Sequence, residues 1–121
     1  MRVKVSAPVH PTERLEKVLD AVEYIFPAME FKESGGVVSG VGNDRNSLVD
    51  FKERLKNQQI RDTARGLLRH FMEDNKIKFR INKQAACKAK INFVDFDVAL
   101  GPIEVLIEDE NPQELVEWLC E

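Results

Sequence analysis

A chain of 121 residues, 43% of them hydrophobic and 32% charged, has enough apolar material for one core and is expected to form a single α+β domain over residues 1–121, which excludes a globally disordered chain. No apolar run approaches the roughly 18 residues of a membrane span, no basic start leads into a signal-peptide core, and Cys87 and Cys120 follow no zinc or redox spacing, so a reduced cytoplasmic protein without a membrane partner is expected. The formal charge of −3 argues, taken alone, against a dedicated nucleic-acid binder.

Arg2 to Ala7 alternates polar and apolar, with Val3, Val5 and Ala7 on one face, and predicts a half-buried strand. The run His10-Pro11-Thr12-Glu13 then predicts the opening of a helix, since proline is tolerated in a first turn and Glu13 and Glu16 suit the positive end of the dipole. Leu15, Val18, Leu19, Val22, Ile25 and Phe26 form its apolar stripe, and Pro27 ends it. Met29 to Glu33 and Val37 to Val41 flank Ser34-Gly35-Gly36 as a hairpin. Ser47 followed by Asp50 resembles a capping box ahead of the stripe Leu48, Phe51, Leu55. A second stripe, Ile60, Ala64, Leu67, Leu68 and Phe71, is out of phase with the first, which predicts a kink or two helices meeting within Asn57-Gln58-Gln59.

Lys76 to Asn82 alternates again with Ile77, Phe79 and Ile81 inward. Lys88 to Phe93 reads as another strand, and Ile103 to Ile107 as a third with Glu104 and Glu108 outward. Asn111-Pro112-Gln113-Glu114 combines an N-cap, a first-turn proline and a returning glutamate at the head of a last helix. The order β-α-β-β-α(α)-β-β-β-α implies a two-layer α+β domain, a largely antiparallel sheet with helices on one face.

Divided along the chain, the small net charge conceals a steep polarity. Residues 1–51 hold six basic and eight acidic side chains, residues 52–94 hold twelve basic and four acidic, and residues 95–121 hold nine acidic and no basic one. The middle therefore carries +8 and the C-terminal segment −9. Arg61, Arg65 and Arg69 recur every four residues along one helix edge, and Lys76, Lys78 and Arg80 line the outer face of the next strand. Such an array suits a phosphate backbone. Against it stand Glu104 and Glu108 as cross-strand partners and the lack of aromatic residues on the basic face.

Catalytic chemistry finds little support. His10 and His70 lie on different elements without ligands at metal spacing, and neither cysteine has a neighbouring histidine. Asp95 and Asp97 would point the same way from a strand, but Phe96 and Val98 alternate with them as in any amphipathic strand. Gly35, Gly36, Gly40 and Gly42 read as hairpin punctuation, because Asp44 puts negative charge where a phosphate would sit. No cofactor and no metal are expected.

His10-Pro11-Thr12-Glu13, Phe26-Pro27, Gln59-Ile60-Arg61-Asp62-Thr63-Ala64-Arg65, Asn82-Lys83-Gln84-Ala85-Ala86 and Leu100-Gly101-Pro102-Ile103 together resemble an archaeal group of unknown function, uncharacterised protein family 0201. The resemblance spans essentially the whole chain. It implies a fold similar to that of the ribosomal protein that holds 5S RNA, and pairing into homodimers; it implies no catalytic residues. Fold likeness by itself does not transfer function.

These lines converge on a non-enzymatic, homodimeric interaction module. The alternative is RNA binding through the basic helix and strand surface of residues 52–94, with no DNA partner expected. The residues that would form the contact surface are Arg61, Asp62, Arg65, Arg69, Lys78, Arg80, Lys83 and Gln84.

Overall fold

The fold is an antiparallel sheet with helices packed on one face, as a computed structural model shows for residues 1–94 and 101–121. In chain order the described elements are β1 (Arg2–Pro8), α1 (Leu15–Ile25), β2 (Lys32–Ser34), β3 (Val37–Gly42), a 3-10 turn (Arg45–Leu48), α2 (Val49–Asn57), α3 (Arg61–His70), β4 (Met72–Glu73), β5 (Lys76–Ile81), α4 (Lys83–Cys87), β6 (Phe93–Val94), β7 (Ile103–Glu108) and α5 (Pro112–Leu119). The strands follow the spatial order β2-β3-β1-β7-β5-β4, and β6 also pairs with β5. β1 therefore lies inside the sheet, between β3 and β7, so the two halves of the chain are joined through its first strand.

Alternation decides which face meets the helices. Val3, Val5 and Ala7 of β1, Ile77, Phe79 and Ile81 of β5, and Ile103, Val105 and Ile107 of β7 are buried. They share one core with Val18, Ala21, Val22 and Ile25 of α1, Phe51 and Leu55 of α2, Ala64 and Leu68 of α3, and Leu115, Val116 and Leu119 of α5. At its centre the ring of Phe51 packs against Phe26, Phe79 and Phe93 at centroid separations of 5.6, 5.8 and 6.5 Å. Among the described residues Phe26, Phe51 and Phe79 are buried in the core and Phe31, Phe71 and Phe93 pack against it, so none stands on an outward strand position.

The break after Asn57 is a helix ending, not a bend in one rod. Gln59 takes a left-handed φ of 60°, its N–H donates to Lys56 O, and the N–H of Ile60 reaches back to Leu55 O at 3.1 Å. This is the Schellman closure, here with glutamine where glycine is usual. α4 ends in the same way: Ala89 has φ 60°, and the N–H of Lys90 donates to Ala85 O at 2.9 Å.

That second closure corrects the strand expected over Lys88 to Phe93. Asn82 accepts the N–H of Ala85 and starts a helix, and the left-handed Ala89 turns the chain, leaving only Phe93–Val94 to pair. Apolar alternation at Ala89, Ile91 and Phe93 mimicked a strand. Other differences are smaller. α1 begins at Leu15, because Pro11 to Glu13 form a turn in which the Glu13 carboxylate accepts the N–H of His10 at 2.9 Å. Ser47 lies inside the 3-10 turn and caps nothing. β2 covers Lys32–Ser34 in place of the longer strand expected from Met29, and the short β4 was not foreseen. At α5 the Asn111 side chain accepts the N–H of Glu114, as expected, while the Glu114 carboxylate turns outward to Arg45 instead of returning to the cap. Asp95 and Asp97 lie outside the described residues.

Candidate nucleic-acid interface

With the helices on one side, the outward positions of the strands form a face that no described helix covers. Strand register sets its rows. Val41, Lys4, Leu106 and Lys78 lie side by side on β3, β1, β7 and β5; Ser39, Ser6, Glu104 and Arg80 form the next row. Beyond them Arg2, Glu108 and Lys76 are neighbours. Glu73 of β4 extends the last row beside Lys76, so the three rows bring together Arg2, Lys4, Lys76, Lys78 and Arg80 against the carboxylates of Glu73, Glu104 and Glu108. Lys4 and Lys78 are exposed, and Arg80 Nε sits 3.6 Å from Glu104 Oε1. Lys76, Lys78 and Arg80 follow one another at about 7 Å along β5, so one strand presents a straight line of cations.

The candidate residues on α3 have a different environment, because the acidic C-terminal segment lies against them. Arg65 donates to Asp62 Oδ1 at 2.9 Å and to the Cys120 carbonyl at 2.8 Å, with Glu117 3.6 Å from its Nε. Arg69 pairs with Glu117, and Arg61 donates to the Glu121 carbonyl at 3.2 Å. The +8 and −9 segments thus meet inside one chain, at the α3–α5 contact. Arg61, Asp62 and Arg65 also line an open cleft of about 690 Å³ with Lys56, Asn57, Gln59, Cys120 and Glu121.

Lys83 and Gln84 occupy a third place, at the corner between α1 and α4. Gln84 is exposed. Lys83 corrects the expectation of a surface contact: its side chain has no exposure, and its ammonium donates to Pro8 O at 2.6 Å and to Glu13 Oε1 at 2.7 Å. A buried ammonium needs such partners to offset its lost hydration. Gly101 completes the corner with φ 80°, where a Cβ would strike the Pro8 ring.

The remaining polar candidates are locally occupied. His10 Nδ1 is 2.8 Å from Thr12 Oγ1, and His70 packs edge-on to Phe71. Burial pushes the thiols of Cys87 and Cys120 above their ordinary range, which lowers thiolate character at neutral pH. Among the described residues no group of three or more His, Cys, Asp or Glu side chains is placed to hold a metal, and no helix is long and apolar enough to cross a membrane.

Seven of the eight candidate residues therefore fall on three surfaces while Lys83 is buried, and the sheet face gains two cations that sequence reasoning left out. Arg2 and Lys4 belong to the net-acidic first segment. Their signal was the outward phase of the β1 alternation, which becomes meaningful only once β1 is known to sit beside β7.

A protein-family model described as RNA binding matches residues 2–108. The chain is 42% identical over 120 residues to a UPF0201 protein of Methanothermobacter thermautotrophicus, covering 98% of this chain and 90% of the relative. It is 39% identical over 126 residues to a UPF0201 protein of Saccharolobus solfataricus, covering 99% of this chain and 87% of that one. The crystal structure of a UPF0201 protein from Methanococcus jannaschii superposes with a TM-score of 0.85 at 32% identity, over 100% of both chains.

Proposed function

Because this chain belongs to the UPF0201 family, whose matching model carries the description RNA binding, we propose that it is a non-enzymatic RNA-binding module of the cytoplasm that contacts RNA with the helix-free face of its sheet. One observation carries the reading: five cations, Arg2, Lys4, Lys76, Lys78 and Arg80, stand on that face against three carboxylates among the described residues, Glu73, Glu104 and Glu108. A flat cationic face suits phosphates and 2′-hydroxyls presented by a shallow RNA groove. Among the described residues no helix projects from that face to enter the DNA major groove, so DNA is not its expected partner.

A second feature of the same face favours pairing of two copies. Its β3 end is apolar and open: Val37 is 40% exposed and Val41 47%, with Leu106 half-buried two strands away. Pairing there would bury valines and leave the β5 end, with its cations, free on each copy.

The RNA reading is tested by fluorescence polarisation of a labelled RNA hairpin at a series of salt concentrations. Binding that weakens as salt rises and is lost in a Lys4→Glu/Lys78→Glu variant supports it; equal binding by that variant, or none at low ionic strength, overturns it. Light scattering across a wide concentration range decides the pairing, since a constant monomer mass overturns it.

A further inference from the structure

We propose that the elbow between α2 and α3 holds a nucleotide-binding cleft, separate from the sheet face, that takes a flat base together with its phosphate. Two clefts meet there at Asn57. One, of about 500 Å³, is lined by Tyr24, Arg54, Asn57, Gln58, Ala89, Lys90 and Asn92. The other is the cleft of about 690 Å³ whose cations are Lys56, Arg61 and Arg65. Both volumes fall in the range of small-molecule sites, roughly 300–1,000 Å³.

The lining of the smaller cleft is chemically selective. It has two cations, three side-chain amides and one aromatic ring, and no carboxylate. The Arg54 guanidinium lies over the Tyr24 ring at 3.9 Å from its centroid, held there by a 3.2 Å bond from Nε to the Tyr24 carbonyl. Tyr24 is fixed from its other end, its hydroxyl donating to Ala89 O at 2.9 Å. Guanidinium and aromatic planes are the surfaces on which unpaired bases stack. This is the chain's single tyrosine, and it supplies at the elbow an aromatic element that the sheet face lacks among the described residues.

Some lining groups are tied to the fold and others are uncommitted. Gln58 makes two bonds to Ile91, donating to its carbonyl at 2.8 Å and accepting its N–H at 2.9 Å, which clamps the segment after α4 onto the end of α2. Asn57, Asn92, Lys56 and Lys90 make no side-chain hydrogen bond among the described residues and are exposed at the rim. The amides can pair with base edges, which carry both donors and acceptors. Lys90 and Lys56 flank Asn57 from the two clefts, where a phosphate attached to a stacked base would lie. The larger cleft carries two acidic residues on its far side, Asp62, which is engaged by Arg65, and Glu121, against its three cations.

One ligand chemistry, a nucleotide, has two sources here: free in solution, or unpaired within an RNA strand. The test titrates the full chain with adenosine monophosphate and, separately, with a single-stranded oligoadenylate octamer, following the Tyr24 ring resonances by NMR and affinity by calorimetry. Shifts of Tyr24 with the monophosphate assign the cleft to free nucleotides; shifts with the octamer alone assign it to RNA. In either case Lys90→Glu, at an exposed position, weakens binding by roughly tenfold or more. Tyr24 resonances unmoved by both ligands, or binding that Lys90→Glu leaves unchanged, overturn the proposal. An octamer that binds with Tyr24 unmoved, and is lost in Lys4→Glu/Lys78→Glu, leaves the sheet-face reading standing while this one fails.

Discussion

The ammonium of Lys83 lies 2.7 Å from the carboxylate of Glu13, and the lysine side chain has no exposure to solvent. Glu13 also accepts the N–H of His10, and Lys83 also donates to the carbonyl of Pro8. One ion pair thus ties the end of β1, the turn before α1 and the start of α4 into a single corner. The pair thereby links the entry of the first helix and the start of the fourth to the end of the sheet's first strand.

Lys83→Met should destabilise the chain by roughly 3–5 kcal/mol, because it strands a largely buried carboxylate. Lys83→Met/Glu13→Gln should cost clearly less than the sum of the two single changes, since neither charge then remains. Urea denaturation of the four proteins of this cycle measures the coupling. A cost below about 1 kcal/mol for Lys83→Met would show the pair to be incidental.

The arginines of α3 should separate by their partners. Arg65 holds the Cys120 carbonyl and Asp62 with a side chain 30% exposed, whereas Arg69 and Glu117 are 47% and 45% exposed. Arg65→Met should therefore lower stability by about 1.5–3 kcal/mol, the worth of hydrogen bonds to a charged group. Arg69→Met should cost under about 1 kcal/mol, and less at high salt. Thermal unfolding at two ionic strengths checks both; equal losses would mean that α5 is held by general charge attraction instead of by the Arg65 contacts.

Most of the fold was legible because period and burial agree. β1, β5 and β7 show clean alternation, α1 a continuous stripe, and α5 a cap signal, and each appears where the pattern puts it. The failures share a cause: tertiary partners outweighed local pattern. Ala89, Ile91 and Phe93 alternate like a strand, yet the Asn82 cap and the Gln58 clamp on Ile91 fix a short helix and a turn. Lys83 carried no sign of burial, since an isolated lysine is almost always exposed and its carboxylate partner is 70 residues away. Of the candidate surface, the phase of β5 was readable. The arrival of Arg2 and Lys4 beside it required the pairing of the chain's first strand with β7, which no local pattern announces.

The two left-handed closures give a prediction of opposite sign to the others. Gln59 and Ala89 adopt φ 60° without being glycine, a conformation that costs roughly 1–2 kcal/mol for an L-residue. Gln59→Gly and Ala89→Gly should each stabilise the chain, by up to about 1 kcal/mol after the larger chain entropy of glycine is subtracted. Urea midpoints decide this. Destabilisation by Ala89→Gly would mean that the methyl group makes contacts worth more than the strain.

Salt dependence separates the sheet face from the rest of the charged surface. If Lys4 and Lys78 each contact a phosphate, removing both by substitution to glutamine should weaken RNA binding and reduce the slope of log affinity against log salt by about 1 per lost contact. Arg69→Gln should leave that slope unchanged, because its guanidinium is paired with Glu117 on the helical side of the domain. Glu104→Gln should strengthen binding, since it removes a negative charge 3.6 Å from Arg80 at the centre of the face. The Glu104 variant is the sharpest of the three: general loss of structure weakens binding, so a gain in affinity excludes misfolding and supports RNA near that face. A slope reduced as much by Arg69→Gln as by the pair on the sheet would instead place the RNA along α3.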